Sequence, residues 1–212
     1  MRFSKSVINA ALGQEKLRDE IPPNAQRRPV AAAAAAATAV SAAAAFRFRV
    51  LGVDASLRCA GLGVVEYDQG KLRCIDARCV RNKPALRLSE CLVNLRNATE
   101  AYIAEFKPDE AAFEGVFFFQ NAKTALILGH ARGVMLGACG ASGIPVYEYS
   151  PKRVKQAVTG GGAAVKGQIQ AMMKAMLNLP ELPQEDAADA LAIAITRIHE
   201  TGGIAAYETK QI

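Results

Sequence analysis

Val50-Leu51-Gly52-Val53 is an apolar run with no polar side chain on either face, closed by Asp54, and it limits the possible fold more than any other stretch. A strand this apolar has to be covered on both sides, as happens in sheets flanked by helices rather than in sheets open to water on one face. Phe46 to Asp54 is therefore predicted to enter a buried sheet and to carry an acid at its C-terminal end.

The segments that follow agree with such a sheet. Leu62 to Tyr67 and Leu72 to Val80 read as strands joined by Asp68-Gln69-Gly70-Lys71, whose glycine suits a tight hairpin, so the first three strands form an antiparallel meander. Leu88, Leu92, Leu95, Tyr102 and Phe106 recur at helical spacing until Lys107-Pro108-Asp109, where proline stops the helix. Glu110 to Glu114 is a short strand, Ala122 to Ala141 a helix and Ile144 to Tyr149 a further strand. Helical stretches then run from Pro151 to the Gly160-Gly161-Gly162 break, from Lys166 to Leu179 and from Glu185 to His199. This order sets parallel strands beside the meander. A mixed five-stranded sheet flanked by helices, an α/β arrangement, is the pattern of a ribonuclease-H-like fold.

Length and composition set the limits of the domain. At 212 residues the chain holds one ordinary domain and something more. Composition changes sharply at Phe46: residues 1–45 are a low-complexity, Ala-rich extension, 46–200 the folded domain and 201–212 a C-terminal tail. The extension is expected to be disordered or partly helical, since its Ala tract favours helix but has little to bury. That tract, from Val30 to Phe46, is too short and too mildly apolar for a bilayer, and no membrane-spanning segment is expected. Arg27 and Arg28 precede it, but Glu15, Asp19 and Glu20 spoil a cationic leader. An organelle-targeting segment, a disordered arm and a misassigned start all remain open readings.

Five cysteines form no C-x-x-C pair, and with only His130 and His199 beside them they have no zinc-ligand spacing. Their odd number argues against a disulfide framework, so they read as reduced residues of a cytoplasmic protein. A net charge of +6 and a pI near 9.2 suit a polyanionic partner.

The acids carry the chemistry. Asp54 and Glu114 both end predicted parallel strands, where an open α/β sheet places its ligand crevice, and two like charges there suggest a cation between them. Asp186 and Asp189 lie three apart at the start of the last helix and so share a face. That pair alone also suits helix capping and the macrodipole, with no metal. Taken together, four oxygen ligands without a nearby Cys or His suit Mg²⁺ or Mn²⁺, and two such ions can cut a phosphodiester.

From Arg49 to Glu200 the chain resembles bacterial RuvC-type crossover-junction endodeoxyribonucleases. The resemblance rests on Leu51-Gly52-Val53-Asp54, Phe113-Glu114-Gly115-Val116-Phe117, Asn121-Ala122-Lys123, Leu128-Gly129-His130-Ala131-Arg132-Gly133, Val154 to Gly160 and Asp186 to Ala194. It implies a homodimeric enzyme of homologous recombination and repair that nicks four-way (Holliday) junction DNA symmetrically, with RuvA and RuvB as partners. It further implies that Asp54, Glu114, Asp186 and Asp189 hold two Mg²⁺ ions, replaceable by Mn²⁺. By the same resemblance Lys166 is similar to a catalytic lysine, Lys155 to a backbone-holding lysine and Phe117 to an aromatic that stacks on a base. Read without it, Lys155 is a solvated lysine and Phe117 a core residue.

Ala55-Ser56-Leu57, where the family commonly has Pro-Gly-Ser, and Gly115 in place of a usual Gln depart from the pattern and bear on substrate contacts more than on catalysis. Two other functions stand as alternatives: a phosphotransferase or ATPase of the actin and sugar-kinase type, and a junction-binding protein that does not cut. The first needs a second related domain and phosphate motif, and neither follows Glu114.

Overall fold

A computed structural model describes residues 47–115, 121–160, 167–201 and 211–212. The chain divides into two units, Met1–Ala43 and Ala44–Ile212, and the first lies wholly outside the described residues. The second contains β1 (Arg47–Asp54), β2 (Cys59–Asp68), β3 (Lys71–Arg81), α1 (Leu88–Phe106), β4 (Glu110–Glu114), α2 (Ala122–Ala141), β5 (Val146–Tyr149), α3 (Pro151–Thr159), α4 (Gln168–Met176) and α5 (Glu185–Thr201).

The strands form one sheet in the order β3-β2-β1-β4-β5. β1 and β2 run antiparallel, as do β2 and β3, whereas β4 pairs parallel with both β1 and β5. The hairpin between β2 and β3 turns through Gln69 and Gly70 with φ of 47° and 82°, the left-handed pair that matches strand twist.

Both faces of the sheet are covered, as the apolar run in β1 requires. Val50 joins Phe48, Val65, Ala112 and Tyr149 beneath α3, α4 and α5. Leu51 and Val53 point the other way, to Leu62, Phe113, Leu95, Tyr102, Met135 and Cys139, where α1 and α2 pack. Alternate residues of one strand thus enter two separate cores.

Element ends follow local chemistry. Asn121 caps α2 by accepting from the N–H groups of Lys123 and Thr124, and Ser150 caps α3 by accepting from Arg153 N–H, with Pro151 opening the helix. Several boundaries differ from expectation, β2 by starting at Cys59 rather than Leu62, and two of the differences have a clear local cause. β5 begins at Val146 rather than Ile144, because Ile144 N–H is spent on the Cys139 carbonyl closing α2 and Pro145 has no N–H to give. α4 ends at Met176, three residues early, because Asn178 adopts φ 50° and Leu179 N–H turns back to the Lys174 carbonyl.

The expectation that no segment could span a membrane needs one correction. Ala122–Ala141 is long and apolar enough to do so by length and composition. Its apolar residues lie all around the helix rather than along one stripe. In the fold Ala131, Met135, Ala138 and Cys139 are buried, while Leu126 is 60% exposed. At the opposite edge of the chain, Gln211 bridges to Tyr147 and Ile212 N–H donates to Val146, so the last two residues of the tail lie along β5.

Candidate active site

Asp54 and Glu114 end adjacent parallel strands and stand at the same C-terminal edge of the sheet. α5 brings the other two acids there, and its close approach depends on residues without side chains. A Cβ on Gly52 would fall on the Ala190 carbonyl oxygen, and one on Gly61 would fall on the Asp186 carbonyl oxygen. Facing them, Ala187, Ala188, Ala190, Ala192 and Ala194 are all buried, so backbone lies nearly on backbone. The far end of α5 is clamped: Arg197 donates from Nε and Nη2 to the two Glu110 oxygens, and its guanidinium lies 3.5 Å from the centre of the Tyr147 ring. With that end held, the helix delivers Asp186 and Asp189 to the strand ends.

The electrostatics record the crowding. Burial, then the charges of Asp189, Glu114, Asp186 and Glu185, push the Asp54 carboxyl up to about 7. Glu114 is also raised, by burial and by Asp189, while Lys155 opposes the rise. All four predicted acids therefore belong to one cluster. Glu185, exposed in the first turn of α5, is a fifth member that sequence reasoning missed. Lys155 reaches the site from α3 and lines one cleft with Glu114, Gly167, Glu185 and Asp189. Lys166 and Phe117 lie outside the described residues.

The acids are neighbours, but no three of them are gathered closely enough to ligate one ion together. Among the described residues, the only metal-ligating atoms that come mutually within 4.8 Å are those of Cys59, Cys79 and Asp186, and no three of the acids do so. Like charges keep carboxylates apart, and Asp186 instead accepts from the Cys59 thiol at 2.7 Å. That thiol is pushed up to about 12, mainly by burial and then by Asp186, so it stays protonated and able to donate. The thiol's bond engages Oδ2, so an ion shared with Asp54 either takes Oδ1 or displaces the thiol. The donor set itself, carboxylate oxygens around an acid whose charge is costly, fits a hard divalent cation.

Two supports had no assigned role in the sequence. Buried Arg132 donates from Nη1 to the Glu114 carbonyl at 2.7 Å and from Nη2 to Glu148, with its guanidinium 5.2 Å from the centre of the Phe113 ring. Only the coincidence of α2 with the end of β4 reveals this. Arg132→Ala is expected to cost about 1–3 kcal/mol of stability by stranding that carbonyl and Glu148, and Arg132→Lys less; urea denaturation reads both. Asn82 holds the loop after Asp54, donating from Nδ2 to Leu57 at 2.8 Å and from its N–H to Arg58 at 3.0 Å. Ala55-Ser56-Leu57 is thereby tied down without proline.

A mixed sheet in this order, with acids at two strand ends and on the closing helix, defines an enzyme class: the ribonuclease-H-like nucleases. Comparison with known proteins narrows it. The profile of the family described as Crossover junction endodeoxyribonuclease RuvC matches residues 50–197. The RuvC of Ruminiclostridium cellulolyticum is 44% identical over 147 residues, 69% of this chain and 89% of that protein. That of Chloroflexus aggregans is 48% identical over 148 residues, 69% of this chain and 90% of the other. Among solved structures, Thermus thermophilus RuvC in complex with a Holliday junction substrate superposes with a TM-score of 0.72 at 32% identity, covering 78% of this chain and 99% of that one. The chain belongs to the RuvC family of crossover junction endodeoxyribonucleases. These likenesses do not favour the kinase alternative.

Proposed function

We propose that this protein resolves four-way (Holliday) DNA junctions by symmetric, metal-dependent nicking during homologous recombination and repair in the cytoplasm. One observation carries the reading: in a chain of this family, Asp54, Glu114, Asp186 and Asp189 form a single cluster with Lys155 at the C-terminal edge of the sheet. The four acids would hold two Mg²⁺ ions, which Mn²⁺ could replace. When bound, such ions would supply charge compensation at the phosphate being cut and lower the pKa of a water.

The protein's own groups do the rest. Partial burial at the sheet edge makes negative charge costly on Asp54 and Glu114, Lys155 offers a cation to the DNA backbone beside Glu114, and Lys166 serves as the catalytic lysine near the scissile phosphate. Phe117 stacks on a base near the crossover, an interaction of roughly 1–3 kcal/mol. Residues 46–200 make up the nuclease domain.

Symmetric cutting calls for two sites related by a two-fold axis. The exposed face of α2 suits a second copy: Leu126 stands in solvent and Gly129, Gly133 and Gly137, spaced four apart, have open space before them. A homodimer through this face covers the side of α2 that the monomer leaves exposed. RuvA and RuvB are the branch-migration partners.

Wild-type protein and a synthetic four-way junction test the reading. Paired nicks in strands of like polarity are expected with Mg²⁺ or Mn²⁺, and none with chelator or on linear duplex of the same sequence. Tight junction binding with no nick under either metal would mean a binding protein that does not cut.

A further inference from the structure

We propose that Cys59, Cys79 and Asp186 form a second metal site, selective for a soft divalent ion of the Zn²⁺ or Cd²⁺ type, that competes with the catalytic cluster for Asp186. The competition rests on the catalytic role given to Asp186 above; the site itself does not.

The site is a product of strand register. Cys59 pairs with Arg81 and Gly61 with Cys79, so the two cysteines sit diagonally on one face of the β2–β3 ladder. Gly61 puts no side chain between them, and α5 descends on that gap until the Asp186 backbone meets Gly61. The Asp186 carboxylate then lies against both thiols, with Cys59 Sγ 2.7 Å and Cys79 Sγ 3.9 Å from Oδ2. All three residues are half-buried. The three ligand atoms lie within 4.8 Å of one another, and ligands around a tetrahedral ion with bonds of about 2.0–2.3 Å need a spacing of only about 3.5–4 Å.

Ligand chemistry decides which ion enters. Two sulfurs and one oxygen suit Zn²⁺ or Cd²⁺ and reject Mg²⁺, which takes oxygen ligands in octahedral geometry. Binding replaces both thiol protons with the metal and releases them to solvent. Three protein ligands leave a fourth position for water or a phosphate oxygen. Oδ2 of Asp186 is the atom held against both thiols, so an ion there occupies that oxygen and draws on the negative charge that Asp186 lends to Asp54. The soft ion therefore withdraws one carboxylate from the catalytic cluster and slows cutting without touching Asp54, Glu114 or Asp189.

The test uses the full chain, fully reduced. Co²⁺ is titrated into wild type, Cys59→Ser, Cys79→Ser and the double variant, all confirmed folded by their thermal transitions. Wild type is expected to bind one Co²⁺ with thiolate-to-cobalt charge-transfer absorption, which Zn²⁺ abolishes and which each serine variant lacks. Junction nicking in saturating Mg²⁺ is then followed against added Zn²⁺, each protein normalised to its own rate without zinc. Half-inhibition of the double variant is expected to need at least about tenfold more Zn²⁺ than wild type. No thiolate band in wild type would overturn the site. A band together with identical zinc inhibition in all four proteins would overturn the competition, placing the inhibitory ion among the carboxylates. If wild type fails to nick at all, the cobalt band still decides the site, and it is the proposed nuclease function that fails.

Discussion

Asp54→Asn is expected to abolish junction nicking while leaving junction binding intact and making the chelated protein more stable at neutral pH. The two effects share a cause. Asp54 is held up to about 7 by burial and by Asp189, Glu114, Asp186 and Glu185, so its ionised form is costly in the fold. Asparagine has the same shape without the charge: it removes the repulsion and with it a proposed metal ligand. Loss of charge compensation worth several kcal/mol corresponds to a rate fall on the order of 10³-fold or more. Binding persists because the phosphate backbone loses a nearby negative charge rather than a contact.

The pH dependence follows from the direction of the shift. The Asp54 pKa is about 7 in the folded chain against 3.8 for the free group, so between those values the folded state holds a proton that the unfolded state has lost. The extra stability is full below about 4, declines as pH rises toward about 7 and is gone above it. Glu114, also raised, pulls the same way. In chelator the wild-type melting temperature should fall from pH 5 to pH 8, and that of Asp54→Asn should fall distinctly less. Mg²⁺ should raise the wild-type melting temperature more at pH 8 than at pH 5, since it binds the deprotonated acids. Unchanged nicking by the variant, or a pH slope equal to that of wild type, would show that Asp54 is not the charged centre of the site.

What the sequence revealed of this site, and what it hid, follows from the range of each signal. Asp54 was legible because a strand apolar on both faces ends at it, and Glu114 because a short strand before a helix ends there too. Asp186 and Asp189 are legible as a helical pair, but that segment alone favours capping, and only the four acids together point to a metal. Arg132 gave no signal, since its partner carbonyl at Glu114 lies 18 positions away and depends on how α2 packs. Cys59 and Cys79, read as unrelated, meet through a β2–β3 register that also carries a bulge between Val64 and Val65. Spacing along the chain cannot foretell that meeting. The end of α4 falls short of the spacing for a simpler reason: a left-handed Asn178 ends it before Pro180 can.

Gly52→Ala is expected to destabilise the fold and to stop cutting although every acid remains in place. The added methyl would fall on the Ala190 carbonyl oxygen and come within 2.8 Å of Ala194 N, both in the backbone of α5. No rotamer change relieves a clash with helix backbone, so α5 must lift or slide, at a cost beyond the roughly 1–3 kcal/mol usual for an overfilled core. Arg197 holds the other end of the helix to Glu110, so displacement concentrates at the end that carries Asp186 and Asp189. Gly61→Ala should act alike, because its methyl would fall on the Asp186 carbonyl oxygen itself. Gly63→Ala is the graded control: its methyl meets the Leu191 side chain at 3.0 Å and the Leu191 backbone N at 3.2 Å, so it asks for a shift of a few tenths of an ångström where the other two overlap backbone outright. Urea denaturation and Mg²⁺-dependent nicking should therefore rank Gly63→Ala mild and both Gly52→Ala and Gly61→Ala severe. Equal, small effects at all three positions would mean that the separation of α5 from the sheet does not set the position of the acids.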